Sequence, residues 1–309
     1  LGRARVQVDI YALLLPGRHL IRDFLLVDAR VELVRETDGR LLIEGFGGGK
    51  GGDLSSWLGR VGHIGLSGGQ LGLVDRASGR EFVLENVELR LSQHGERLTV
   101  GLERDSQDRR GRLRAVLEHQ GPLRWPIRDA ELYVEAEQFP VAEMTGLSEP
   151  FGLGLRDGVL NGRQWLTWRQ QRLTGLQGDW GVDGLVLAAP SFDWLDAGAV
   201  EPHLHLPHGR VAVSGSEDAN GFALDLRAGP GSEAASMVSE LSASIDRSGN
   251  VRVAATELPL ELLAAIGQLT QLTPAKLRAQ LYSAQLRGVV RHLEVRRDVD
   301  DWQWFADVD

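Results

Sequence analysis

Five groups of residues in this chain have types and spacing that could do chemistry. Gly47-Gly48-Gly49-Lys50-Gly51-Gly52 satisfies the G-x-G-x-x-G spacing with which a Gly-rich turn brings a pyrophosphate to a helix N-terminus. Nearly every residue there is Gly, and strand-like alternation resumes after about two turns' worth of chain, so no βαβ unit is available to aim a helix at a phosphate. A Walker loop fails as well, because Lys50 is followed by Gly51 and Glu44 stands where its first Gly belongs. The expectation is a flexible loop, Gly45 to Gly52. Gly65-Leu66-Ser67-Gly68-Gly69 fits the nucleophile elbow that lifts a Ser toward a His base, yet the strand-like Gln70 to Asp75 follows where a helix is required. A turn between strands is the expectation there, and a hydrolase using Ser67 is the weakest functional reading.

His203, His205 and His208 form the best metal candidate, since alternate residues share a strand face and a third imidazole could close the site. Alternation with Leu204 and Leu206 reads more simply as His on the polar side of a strand, so no metal is expected. Trp165, Trp168, Trp180 and Trp194, with Trp302 and Trp304, could present an aromatic surface, but Trp in a β-protein mostly fills core gaps. Asp298, Asp300 and Asp301 read as a solvated end. No catalytic residue and no cofactor emerge, and an enzyme is not expected.

Bulk composition narrows the partners. A net charge of −9 argues against a nucleic-acid backbone as ligand, and zero Cys removes disulfides, thiolate metal sites and a thiol nucleophile together. With 38 Gly against 11 Pro, the chain turns often without the composition of a linker. No apolar run approaches the roughly 18 residues of a membrane span. Leu1 and the strand-like Trp302 to Val308 read as ends cut from a longer polypeptide, with any signal or anchor outside.

The elements that must position any site are strands. Leu25, Val27, Ala29, Val31 and Leu33 form one odd-numbered apolar row, followed by Val87, Leu89, Leu91, by Leu98, Val100, Leu102, and by Leu113, Ala115, Leu117. Ala130, Leu132, Val134, Ala136 repeat the habit, as do Phe222, Leu224, Leu226, Ala228 and Leu241, Ala243, Ile245. Four x-Gly-Arg tripeptides, centred on Gly39, Gly79, Gly162 and Gly209, read as hairpin turns between consecutive antiparallel strands. Helix signals are few: Asp53 could cap the next residues, the stretch from Phe139 could turn around Met144, and two short helices fall near 259–286. A soft boundary at Glu149-Pro150 divides the chain into 1–149 and 150–309.

One unit occurs twice, forty residues apart. Ala29 to Glu44 and Gly69 to Glu85 share Leu33/Leu73, Val34/Val74, Gly39/Gly79 and Arg40/Arg80, and keep apolar Val31/Leu71 and Ile43/Val83. Each is a strand, a Gly-centred reversal and a second strand, which cannot bury its apolar face alone. Too few helices exist to cover the rows, so a second sheet or a ligand must.

The order of these features resembles the AsmA-like proteins of Gram-negative bacteria, on the YhdP branch, over roughly Arg3 to Leu187. The resemblance is carried by Asp23 to Phe46, Asp53 to Leu91, Arg128 to Phe139 and Gly162 to Trp180. It implies a mainly β fold: an elongated, curved antiparallel sheet folded into a taco-like groove with an apolar interior and a few short helices. It implies phospholipid transport between inner and outer membranes, maintenance of the outer-membrane barrier, a periplasmic location within an inner-membrane-anchored protein, and no catalytic residue. The expected partners are phospholipid acyl chains, the inner membrane through an anchor outside this chain, and envelope proteins, with no nucleic acid. The expected groove lining is Leu25, Val27, Val31, Leu33, Leu71, Leu73, Val87, Leu89, Leu91, Leu132 and Val134. The alternative is a closed β-sandwich scaffold that displays a Trp-rich surface or a strand edge to an envelope partner.

Overall fold

A computed structural model describes residues 2–9, 21–38, 40–44, 52–53, 61–76, 79–106, 110–121, 128–144, 154–188, 203–218, 221–229, 239–246, 248–260, 264, 280, 287–298 and 301–308. The chain is mainly β, and its strands form a large, mixed, mostly antiparallel open sheet. In chain order the strands are β1 (Arg3–Val8), β2 (Ile21–Val27), β3 (Arg30–Arg35), β4 (Leu41–Glu44), β5 (Gly52–Asp53), β6 (Val61–Asp75), β7 (Arg80–His94), β8 (Arg97–Asp105) and β9 (Arg112–Gln120). They continue with β10 (Ala130–Pro140), β11 (Gly154–Arg169), β12 (Arg172–Ala188), β13 (His203–Glu217), β14 (Gly221–Gly229), β15 (Ser239–Asp246), β16 (Val251–Pro259), β17 (Val289–Asp298) and β18 (Asp301–Val308). Among the described residues the longest helical stretch is the 3₁₀ turn Val141–Met144. The Gly45 to Gly51 loop, the helix expected after Asp53 and nearly all of the two helices expected near 259–286 lie outside the described residues. Contacts divide the chain into two compact units, one of residues 1–135 and 165–173, the other of 136–164 and 174–309.

In the first unit the sheet is mixed, where the sequence predicted antiparallel pairing throughout. Both β2 and β3 run parallel to β6, with Leu26 opposite Leu66, Val31 opposite Leu71 and Leu33 opposite Leu73. The forty-residue repeat is therefore a pairing register, because the equivalent residues of the two copies are cross-strand partners. Arg35 donates to Asp75 at 3.1 Å, and Arg76 joins Glu36 and Glu44, which closes the ends of the paired hairpins with charge. Outside these parallel pairs, β1 with β2, β3 with β4, and β6 through β9 are antiparallel.

The strands are not read correctly by strict alternation. In Leu66-Ser67-Gly68-Gly69, Leu84-Glu85-Asn86-Val87, Ala136-Glu137-Gln138-Phe139 and Ala255-Thr256-Glu257-Leu258, buried residues stand three apart. The third residue of each quartet has positive φ: 62° at Gly68, 53° at Asn86, 47° at Gln138 and 51° at Glu257. Such a local irregularity turns the chain so that a second apolar residue returns to the core. A side chain takes a backbone group that each kink leaves exposed. Glu88 accepts from Gly68 N–H at 2.9 Å, Arg104 Nε donates to Glu85 O at 3.0 Å, Gln138 N–H donates to Asn161 Oδ1 at 2.8 Å, and Ser239 donates to Glu257 O at 2.8 Å. Arg104 is buried because it serves this carbonyl beside Val87, its cross-strand partner.

Two of the four x-Gly-Arg turns are corrected. Gly79 lies in the reversal between β6 and β7 with φ 68°, and Gly39 lies outside the described residues between β3 and β4. Gly162 and Gly209, by contrast, sit inside β11 and β13. The G-x-S-x-G segment is likewise no turn between strands, since it lies within β6 at the first bulge.

In the second unit, β13 through β18 form a continuous antiparallel series, and β12 pairs with β13. The β15–β16 reversal is built by Asp246, whose carboxylate accepts from Ser248 N–H at 2.8 Å and from Asn250 N–H at 3.0 Å and Nδ2 at 2.8 Å. The bonds from Asn250, first through its backbone and then its side chain, hold the Asp246 pKa below the usual 3.8. A carboxylate depressed on folding stabilises the fold fully above its unfolded pKa, and that contribution fades as pH falls through the lowered folded value. The expected result is an Asp246 titration midpoint below 3.8 by carboxyl NMR, and an acid-limb loss of stability that is shallower in Asp246→Ala.

Candidate functional site

The surface with a character of its own is an apolar sheet face. In the first unit, register carries one row through Val6, Phe24, Ile64, Leu91, Val100 and Leu117, and the next through Ala4, Leu26, Leu66, Leu89, Leu102 and Ala115. Ile64, Leu66, Leu89 and Leu91 are buried at the centre of these rows, whereas Val6 on β1 is 47% exposed. The face is covered in the middle and open at β1.

The expected lining divides between two faces. Val31, Leu33, Leu71, Leu73, Val87, Leu89 and Leu91 share the apolar face, because the β6 bulge keeps Leu71 and Leu73 on the side of Leu66. Leu25 and Val27 do not. They pair with Gly65 and Ser67 on the opposite side, since Asp28 takes φ 53° and breaks the odd-numbered row between Val27 and Val31. Leu132 and Val134 are half-buried on β10, between the buried Ala130 and Ala136. Val83, matched to Ile43 in the repeat, is 45% exposed while Ile43 is buried.

The second unit carries the more continuous face, which the sequence reading left out of its expected lining. One row runs Val213, Leu226, Leu241, Ala255, Leu293, and its neighbour runs Gly215, Leu224, Ala243, Val253, Val295. A third begins Phe222, Ile245, Val251. Of these side chains only Ala255 is buried; Leu224, Leu226, Leu241, Ala243, Val253, Leu293 and Val295 are half-buried, and Ile245 is 51% exposed. The signal was in the sequence as the rows Phe222 to Ala228 and Leu241 to Ile245. Leu293 and Val295 carry a weaker signal, because Arg and Glu crowd that strand.

The opposite side of these strands is charged and paired. Arg227 meets Glu240 at 3.2 Å, and Glu294 accepts from Arg252 at 2.7 Å and Arg296 at 2.8 Å. The hydrogen bond from Arg296 first, and the charge of Arg252 with it, hold the Glu294 carboxyl below the usual carboxylate range. Arg210 does the same to Asp179 on β12. The sheet is thus amphipathic, apolar in rows on one side and neutralised on the other.

The remaining candidates are placed without gathering a reactive centre. Ser67 donates to Glu88 Oε1 at 2.7 Å, so its hydroxyl serves the bulge. His208 is exposed and bonded to Asp183 at 2.7 Å, His205 is exposed, and the His203 side chain lies outside the described residues. Among the described residues no group of three His, Cys, Asp or Glu side chains is gathered as a metal site. Trp165 is 42% exposed and packs against Tyr133 at a tilt of 46° with centroids 5.0 Å apart, while Trp180 is half-buried and donates to Gln164 at 3.1 Å. Among the described residues no helix is long and apolar enough to cross a membrane. The chain matches no protein-family model, no curated protein and no solved structure.

Proposed function

We propose that this chain is a non-enzymatic, lipid-binding and lipid-conducting segment, whose apolar face lines a curved, taco-like groove for phospholipid acyl chains. The observation that carries this reading is the run of half-buried apolar rows across β13 to β17, with the charged side of the same strands already neutralised. Contiguous half-exposed apolar rows call for an apolar occupant. An acyl chain fits because each methylene buried returns about 0.8 kcal/mol, and a dozen give roughly 10 kcal/mol before ordering costs. Rows of Val, Leu and Ala offer no specific grip. A tail moving along them exchanges one apolar contact for another, so conduction needs no deep site.

The resemblance to AsmA-like proteins of the YhdP branch supports a wider proposal: phospholipid passage between inner and outer membranes, from a periplasmic position within an inner-membrane-anchored protein.

The test is lipid extraction from the purified chain followed by mass spectrometry. Phospholipid should copurify, and Leu224→Asp should lower its amount about tenfold, since a charge cannot be buried beside a tail. Ser242→Asp, at an exposed position on the polar side, should leave it unchanged. No lipid from the native chain, or equal loss in both variants, would sink the proposal.

A further inference from the structure

The face opposite the apolar rows of the first unit holds a cleft with its own chemistry. Arg5, Leu25, Gly65 and Arg90 are cross-strand partners in one row over β1, β2, β6 and β7. The next row is Gln7, Asp23, His63 and Ser92, with a one-residue irregularity in β1 just beyond Gln7. Gly65 contributes no side chain, so the first row has a gap at its centre, and Leu25 leans into it, its Cδ1 2.7 Å from where a Gly65 Cβ would stand. The resulting cavity has a volume of about 550 Å³ and is walled by Arg5 and Arg90 with His63 and Ser92 at its side.

Several other arginines of this unit are matched to carboxylates, as with Arg35 and Asp75, Arg76 with Glu36 and Glu44, and Arg112 with Glu103. Arg5 and Arg90 have neither an ion-pair nor a hydrogen-bond partner among the described residues, although the chain carries a net charge of −9. Their Cα atoms are three strand spacings apart, about 14 Å, a span that two extended guanidinium side chains close around a small ligand. His63 and Ser92 add hydrogen-bonding groups on the same side.

We infer that this cleft binds a singly charged phosphodiester. Guanidinium groups match the oxygens of a phosphate bidentately. Asp23 is the one carboxylate lining the cleft and has Arg22 Nε 3.9 Å from it, so Arg5 and Arg90 leave the cleft net positive and suited to an anion. Leu25 on the floor suits the carbon substituent that a diester has and inorganic phosphate lacks. The same chemistry belongs to a lipid headgroup and to a soluble glycerophosphodiester. This inference rests on the polar face and does not depend on the lipid-conducting reading of the apolar one.

The experiment is calorimetric titration of the full chain with glycerophosphoglycerol, beside inorganic phosphate, and cosedimentation with phosphatidylglycerol vesicles. Saturable binding of the soluble diester assigns the site to free phosphodiesters as well as headgroups, and binding to vesicles alone assigns it to the membrane surface. In either arm Arg5→Gln and Arg90→Gln should each weaken binding about tenfold. Arg112→Gln, which removes a paired arginine of the same unit, should leave it unchanged. Absence of binding in both arms, equal affinity for inorganic phosphate, or indifference to both cleft substitutions would overturn the inference; unchanged thermal melting of the variants keeps the comparison on binding.

Discussion

Phe139→Ala is expected to destabilise the second unit by about 3–5 kcal/mol, the range for truncating a fully enclosed aromatic side chain. Phe139 is 0% exposed and is the largest of the fully buried side chains among the described residues. Its position at the end of β10 is created by the kink before it. Ala136 is buried, Glu137 and Gln138 are both exposed, and Phe139 is buried again, which an unbroken strand could not achieve. Gln138 takes φ 47°, and its backbone N–H and side-chain Nε2 both donate to Asn161 Oδ1, at 2.8 and 3.0 Å. The hydrogen bonds hold the kink, and the kink aims the ring. Urea denaturation should therefore show a large fall in stability for Phe139→Ala and a smaller one, about 1–2 kcal/mol, for Asn161→Ala. A Phe139→Ala cost below that of Asn161→Ala would mean that the ring is not enclosed as described.

The same kinks explain which parts of the fold were legible in the sequence. Period-two alternation identified β8, β9, β14, β15 and the second half of β7 from Val87, because each carries its apolar residues at a constant spacing between charged or small ones. The forty-residue repeat was legible too, and meant more than similarity: Leu33 and Leu73, or Val34 and Val74, stand opposite each other in paired parallel strands. What alternation could not read is a change of phase. Leu84 and Val87 lie three apart, which alternation assigns to opposite faces, yet both are buried because Asn86 takes positive φ. Asp28 likewise moves Leu25 and Val27 off the face of Val31. Asn, Asp and Gly tolerate positive φ, so Gly68, Asn86 and Asp28 carry a mark of such a change of phase; Gln138 and Glu257 carry none.

Gly162 shows the opposite confusion, a turn dipeptide inside a strand, and substituting it is the other change expected to have a large effect. Asn161-Gly162 reads as a tight turn because both residues tolerate positive φ. In the structure Asn161 holds the β10 kink, and Gly162, with φ 154°, lets β12 approach. A Cβ at Gly162 would lie 2.8 Å from Trp180 Cα and 3.0 Å from Trp180 Cε3, and closer still to Asp179 O. Two of those three atoms are backbone, so no rotamer change relieves the contact; β12 itself must move. That movement would disturb Trp180, whose indole N–H donates to Gln164, and Gln164, which donates in turn to Gln177 O at 2.8 Å. Gly162→Ala is therefore expected to cost more than about 4 kcal/mol, beyond the usual range of single substitutions. Gly79→Ala is the matching control: its φ of 68° is positive but lies in the left-handed region that L-residues reach at modest cost, and nothing stands within 4 Å of the added carbon. Its cost should be the conformational one alone, about 1–2 kcal/mol. Denaturation midpoints that rank Gly79→Ala as the more damaging change would show that β11 and β12 do not meet at Gly162.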